Sequence, residues 1–223
     1  MTEPHTEPHA CNDAAFLSSV DGIAAFPHLL RLLARGEPVD LGELVAVAGE
    51  AGADLGRVVA AQPGPEWDSD GRLVGFGLTQ IPTGYRFLVD GKTLYTWCAS
   101  DTLFFTVILG RPTVAESTCP ATGEPIRAEL TPEAVLSVTP AGAVVSELHR
   151  QGLAGNLRSD ICDQGHFFAS TEAAAGWLSA HPDGQVRRIA DAFAECRAAC
   201  EQLGWLTRSP LEPVPHQAAG TAS

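Results

Sequence analysis

Apolar residues recur at helical spacing between Phe26 and Ala34, where Leu29, Leu30, Leu32 and Leu33 form one stripe and Gly36 with Pro38 supplies a stop. The pattern predicts a second helix from Leu41 to Ala48 with Asp40 as its cap, and a third from Asp54 to Ala61 that ends before Pro63. It then changes to short alternating runs. The stretch from Trp67 to Phe76 reads as a hairpin whose Asp70-Gly71 turn suits type I′ geometry. Three helices followed by a hairpin is the order of a winged helix.

Tyr85 to Val89 and Leu94 to Cys98 read as strands joined by Asp90-Gly91, and a strongly apolar helix follows from about Cys98 to Leu109, closed by Gly110. Residues 111–148 alternate in runs such as Thr113-Val114-Ala115 and Val135-Leu136-Ser137-Val138, the signature of antiparallel sheet. His166 to Ala169 is strand-like, Ser170-Thr171-Glu172 opens a helix carrying Trp177, and a last helix runs from about Gln185 to Leu203 with Ile189, Phe193 and Cys196 on one face. The expected fold is α+β. A winged-helix-like domain at 21–82, three helices with a hairpin, precedes a domain at 83–206 built of mixed antiparallel sheet with flanking helices. Residues 1–20 hold the tandem Thr2-Glu3-Pro4-His5 and Thr6-Glu7-Pro8-His9, and 207–223 hold Pro210, Pro213 and Pro215. Both read as disordered tails. His5, His9 and Cys11 could catch a metal only weakly, without a preorganised geometry.

Charge removes the usual meaning of a winged helix. The chain of 223 residues has 14 basic against 27 acidic residues, a net charge of -13 that repels phosphate backbones. The candidate recognition segment Asp54 to Ala61 carries only Arg57 as a base, with Glu43, Glu50 and Asp54 around it, so it reads as a packing module with no nucleic acid as partner. No stretch of about 18 apolar residues offers a membrane span. The first basic residue is Arg31 and no apolar signal segment precedes it, so the chain reads as soluble and cytoplasmic, its thiols reduced. Its six cysteines include no Cys-x-x-Cys pair, which argues against zinc ribbons, thioredoxin-like redox motifs and a disulfide framework.

Cys98 and Asp101 stand three apart at a helix start and share one face. The unpaired N–H groups there favour a thiolate, and the apolar neighbours Trp97, Leu103, Phe104 and Phe105 favour a carboxyl that carries a proton. The same spacing also fits a core cysteine beside a first-turn acid. Cys162 lies in the polar loop Arg158 to His166, and loop cysteines are less easily explained by packing. Two thiols and a carboxylate that converge would form a soft-metal trap, mercury being the extreme case. His166 leaves a Cys/His hydrolase open on composition alone. Trp97, Phe104, Phe105, Phe167 and Phe168 fit either an apolar substrate pocket or plain core. Arg158 fits either a thiolate-stabilising cation or a surface ion pair, and Cys196 with Cys200 reads as buried packing on the last helix.

The strings Leu94-Tyr95-Thr96-Trp97-Cys98-Ala99-Ser100-Asp101-Thr102-Leu103, then Cys119-Pro120-Ala121-Thr122-Gly123, then Cys162 with His166-Phe167-Phe168-Ala169-Ser170 resemble the organomercurial (alkylmercury) lyase family. The resemblance spans roughly 20–205 in three ordered motifs, and the winged-helix-like start fits it. It implies cleavage of the carbon–mercury bond of alkyl- and arylmercury compounds by protonolysis, giving a hydrocarbon and Hg(II). It also implies that Cys98, Asp101 and Cys162 are catalytic and hold the Hg(II) product, while Cys119 is structural. No cofactor is expected; external thiols release the product, and mercuric reductase or low-molecular-weight thiols accept it. The sequence departs from some members at Asp163, where those carry a second adjacent cysteine. Three other readings remain: a non-catalytic thiol-based carrier of soft metal, distinguished by having no need of Asp101; an acidic sensor working through residues 20–80; and a zinc hydrolase, for which the ligand spacing is absent.

Overall fold

The computed structural model describes residues 20–148, 156–160 and 162–206. The His5, His9 and Cys11 tract and the expected C-terminal tail lie outside the described residues. A short 3₁₀ turn, Ile23–Ala25, leads into α1 (Phe26–Leu33), whose Phe26, Leu29, Leu30 and Leu33 are buried. The second and third expected helices are one stretch, α2 (Leu41–Ala61), interrupted at Gly49, whose φ of 58° and ψ of −134° leave the helical region. Asp40 caps it as expected, accepting from the Gly42 N–H at 2.7 Å, while Glu43 reaches back to the Asp40 N–H at 3.3 Å. Arg57 pairs with Asp54 on the same helix, so its charge is matched locally.

Strands β1 (Glu66–Trp67), β2 (Leu73–Phe76), β3 (Leu78–Thr79), β4 (Tyr85–Val89) and β5 (Lys92–Thr96) precede α3 (Ala99–Leu109). Then come β6 (Thr113–Thr118), β7 (Pro125–Leu130), β8 (Val135–Thr139) and β9 (Val144–Leu148). The remaining elements are α4 (Leu157–Asp160), a 3₁₀ turn Cys162–Gln164, β10 (Phe167–Phe168), α5 (Ala175–Ala180), β11 (Gly184–Arg188) and α6 (Ile189–Gln202). One eight-stranded sheet has the order β1-β2-β3-β5-β4-β6-β7-β8, and a three-stranded sheet has the order β10-β9-β11. The architecture is α+β, and every paired strand is antiparallel to its neighbour.

Three local expectations change. At the first hairpin Gly71 has φ 76°, but Asp70 does not enter the left-handed region. The Asp68 carboxylate takes over by accepting from the N–H groups of Asp70 and Arg72, each at 2.9 Å, an Asx-type turn in place of type I′. The type I′ geometry instead falls at Asp90 (φ 50°) and Gly91 (φ 75°), between the paired Val89 and Lys92. The expected start of the last helix, Gln185 to Arg188, is β11, captured by pairing with Glu147, Ser146, Val145 and Val144. The helix expected from Ser170 begins at Ala175, because the Ser170 side chain and carbonyl first close a turn on Ala173 and Ala174.

The core is continuous across the helical segment and the sheets. Its centre is α3, whose eight buried residues leave no polar face; such a helix is stable only when covered on all sides. It packs against α1, α6, β4, β5 and β9. Phe26 joins the two halves, with ring centroids 6.2 Å from both Phe76 and Phe105 and 5.4 Å from Trp205.

The tightest point of that junction is Gly77, with φ 74° and room for no side chain, since an added Cβ would lie 2.7 Å from Cζ of Phe105. Gly77→Ala combines left-handed strain with overpacking, and urea denaturation should show a loss of about 1–3 kcal/mol.

Candidate active site

The site is built where β5 runs into α3. Thr96 is held in the sheet between Leu78 and Tyr85, and its hydroxyl donates to the Cys98 carbonyl at 2.7 Å. The Trp97 N–H donates to the Gly77 carbonyl at 2.9 Å. With the chain so fixed, Cys98 becomes the residue before the first turn of α3, in extended backbone at φ −144°. Its N–H donates to the Asp101 carboxylate at 3.3 Å, and the Asp101 N–H points at its sulfur. This is a reciprocal capping box in which a thiol stands where Ser or Thr is usual. The cap that starts the helix therefore also sets sulfur and carboxylate side by side.

Cys162 arrives from the other sheet. The Ala99 N–H donates to the Gly165 carbonyl at 3.1 Å, and the Gly165 N–H donates to the Cys162 carbonyl at 3.0 Å. Gly165 lets the two segments meet: an added Cβ would lie 3.2 Å from the Cys98 Cβ and 3.5 Å from its Sγ. Ser146 of β9 fastens the outer side, its N–H donating to the His166 carbonyl at 2.8 Å and its hydroxyl to the Gln164 carbonyl at 3.1 Å. The outcome is a cluster in which Cys98 Sγ, Cys162 Sγ and a carboxylate oxygen of Asp101 all lie within 4.8 Å of one another. The sequence set these three apart as candidates; Gly165, Ser146 and Tyr85 carried no signal of their own.

Both sulfurs are almost wholly shielded, Cys98 at 4% exposure and Cys162 at 6%. The Cys98 thiol is held well above its ordinary pKa, first by its hydrogen bond to Cys162, then by burial and by the negative charge of Asp101 and Cys162. The Asp101 N–H pulls the other way and is outweighed. The surroundings thus oppose the resting thiolate that the helix start alone would favour, and Cys98 needs a base to lose its proton.

The other candidates separate clearly. Trp97 is buried, edge-on to Phe76 at 5.6 Å, with the Arg158 guanidinium 5.1 Å from its ring centre. Phe168 meets His166 edge-on at 6.1 Å, and Phe167 is buried opposite Val145. Phe104 lies 5.8 Å from Trp205, and Phe105 packs on Phe26 and Gly77, so both rings make core contacts at the helical segment. Arg158 pairs with Glu66 at 2.5 Å and reaches Asp163 only at 3.9 Å. Cys119 is buried at the β6–β7 turn, where burial pushes its thiol up. Hydrogen bonds to its sulfur from the Thr122 hydroxyl and the N–H groups of Ala169, Ala121 and Thr122 outweigh that, leaving its pKa lowered. Cys196 and Cys200 are buried on α6, and burial pushes Cys200 up to about 12. None of the five described cysteines is in a disulfide.

Two buried sulfurs with one carboxylate, and no imidazole among the ligand atoms, are a donor set of the class that suits a soft metal. Comparison with known proteins narrows this class. The alkylmercury lyase family model matches residues 78–201, and that of the helix-turn-helix domain of alkylmercury lyase matches residues 19–77. The alkylmercury lyase of Streptomyces lividans is 45% identical over 175 residues, 78% of this chain and 81% of its own. That of Bacillus cereus is 44% identical over 168 residues, 75% of this chain and 77% of its own. That of Pseudomonas putida is 41% identical over 75% of this chain and 79% of its own. The crystal structure of the mercury-bound form of MerB2 superimposes with a TM-score of 0.69 at 23% identity, over 85% of this chain and 96% of that one, and shares its fold. The chain belongs to the alkylmercury lyase family.

Because the Asp101 charge helps hold Cys98 protonated, Asp101→Asn should shift the Cys98 titration to lower pH. Thiolate absorbance followed against pH in a Cys119→Ser background checks this. An unmoved or raised midpoint would contradict the electrostatic reading.

Proposed function

We propose that the protein cleaves the carbon–mercury bond of organomercurials, R–Hg–X, through Cys98, Asp101 and Cys162. The observation that carries this reading is the carboxylate of Asp101 within ligating reach of both buried sulfurs. A carrier needs the thiols alone; protonolysis needs an acid beside them.

Asp101 takes the Cys98 proton, and the resulting thiolate bonds to mercury as X⁻ leaves. Cys162 adds as a second thiolate, its own proton being released. Each sulfur pushes electron density through mercury onto the bound carbon and makes that carbon more basic. Asp101 then delivers its proton to the carbon; the carbon–mercury bond breaks, R–H departs, and Hg(II) stays between the two sulfurs with the Asp101 carboxylate beside it. Two thiol protons enter, one leaving in R–H and one with X. General acid catalysis contributes about 10²–10⁴ fold, and holding acid and carbon together adds to it. Burial of the thiols suits this chemistry, since a resting thiol supplies the proton that carbon requires.

No step calls for a cofactor. An external thiol, low-molecular-weight or borne by a mercuric reductase, removes Hg(II). Such thiols belong to a reducing cytoplasm. No described helix is long and apolar enough to cross a membrane. The sulfur of Cys119 is occupied by donors from its own turn and from Ala169, which supports a structural role.

The test is purified protein with excess thiol and a phenylmercury salt, scored for benzene and Hg(II). Cys98→Ser or Cys162→Ser should abolish benzene release, and turnover in either defeats the two-thiolate scheme. Asp101→Asn should still capture the organomercurial but lose protonolysis; benzene at the wild-type rate removes Asp101 from its role. Capture without benzene by the wild-type protein would favour a carrier. Cys119→Ser should lower the melting temperature while turnover per folded molecule holds, and a stable, inactive variant would contradict its structural assignment.

A further inference from the structure

The scheme above sends the second thiol proton out with X but names no group that takes it from the sulfur. Two thiols lose protons in sequence, and one carboxylate cannot hold the second while it keeps the first for carbon. The described residues offer a second acceptor beside the cluster. Tyr85, at the start of β4, lies opposite Thr96, two residues before Cys98, and its hydroxyl meets Nδ1 of His166 at 2.6 Å. The two rings are stacked, with centroids 6.5 Å apart and planes 26° apart. His166 follows Gly165, the residue that touches Cys98, and its N–H donates to the Ser146 hydroxyl at 2.9 Å. The pair therefore bridges the strand leading to one thiol and the segment carrying the other.

We propose that Tyr85 and His166 form a relay that accepts the second thiol proton and passes it to the X⁻ already displaced from mercury. This rests on the lyase reading. The step balances as follows. The remaining sulfur–hydrogen bond breaks as sulfur bonds to mercury, and its proton goes to the Tyr85 oxygen. The Tyr85 proton passes to Nδ1 of His166, giving a neutral phenol and an imidazolium. The X⁻ displaced by the first sulfur then takes the proton as H–X, and the pair returns to its starting state.

The groups around the pair keep it uncharged at rest. Burial, followed by the charges of Cys98, Asp163 and Asp101, pushes the Tyr85 phenol up, so a free tyrosinate is disfavoured and the proton must move through in concert. Burial and then His181, at the end of α5, pull His166 down, against an opposing pull from Asp163 beside Cys162. Neutral imidazole is thus the favoured form, and the relay uses its Nε2–H tautomer, in which Nδ1 has a free electron pair for the incoming proton. Tyr85 and His166 act through the thiols and are positioning and relay residues rather than ligands of mercury.

The experiment is single-turnover benzene release from a phenylmercury salt, from about pH 5 to pH 9, by wild type, His166→Asn and Tyr85→Phe. Melting temperature and the stoichiometry of tightly bound Hg(II) confirm that each variant is folded with both thiols in place. The wild-type rate should fall on the acid side as His166 becomes protonated. In His166→Asn the rate should drop by about 10²–10⁴ fold, the acid limb should disappear, and added imidazole should restore part of the rate. Tyr85→Phe should be slowed while its mercury stoichiometry is unchanged. A folded His166→Asn or Tyr85→Phe protein with the wild-type rate and pH profile overturns the relay. So does a slow His166→Asn that keeps the acid limb and ignores imidazole, since that result means a structural role only. If His166→Asn does not fold, rate and pH profile in Tyr85→Phe decide the matter. Absence of benzene from the wild type defeats the lyase reading itself, an outcome distinct from wild-type turnover with unaffected variants.

Discussion

The structure depends on one backbone hydrogen bond, from the N–H of Ala99 to the carbonyl of Gly165. The first N–H groups of a helix have no partner within it and must find one elsewhere. Here one of them is satisfied by the segment that carries the second thiol, so starting α3 and closing the site are the same event. Gly165 makes the approach possible, because any side chain there would press on Cys98. The cost of ordering two distant segments is offset by the central helix, which is buried on all sides.

Burial then decides the chemistry. A thiol at a helix start, exposed to solvent, would ionise readily. With a second sulfur and a carboxylate pressed against it, Cys98 retains its proton. That reversal suits the proposed reaction, whose product needs a proton on carbon. Burial likewise pushes the Tyr85 phenol up and pulls His166 down, so both favour their neutral forms.

Much of this was legible in the sequence, and the exceptions share a cause. Helical spacing located α1, both arms of α2 and α3, and Cys98, Asp101 and Cys162 were identifiable from motifs. Gln185 to Arg188 continue a helical pattern locally, yet β9 captures them as β11, a pairing no local window contains. Asp70-Gly71 and Asp90-Gly91 look alike as dipeptides, but the Asp68 carboxylate supplies an alternative turn at the first and nothing competes at the second. The protonation of Cys98 was misread because it depends on Cys162, which reaches it only through tertiary contact. Phe104 and Phe105, apolar neighbours of Asp101 along the chain, are drawn into the core by Trp205 and Phe26.

In the proposed scheme two sulfurs, Cys98 and Cys162, and no other cysteine, end up sharing the metal with Asp101 beside them. X-ray absorption on the protein after one turnover with a phenylmercury salt, without added thiol, tests it most directly. One mercury per chain should be bound by two sulfurs in the wild type, and by a single sulfur in Cys162→Ser loaded with Hg(II). Two-sulfur ligation that survives in Cys162→Ser, or is lost on replacing Cys119, would contradict it.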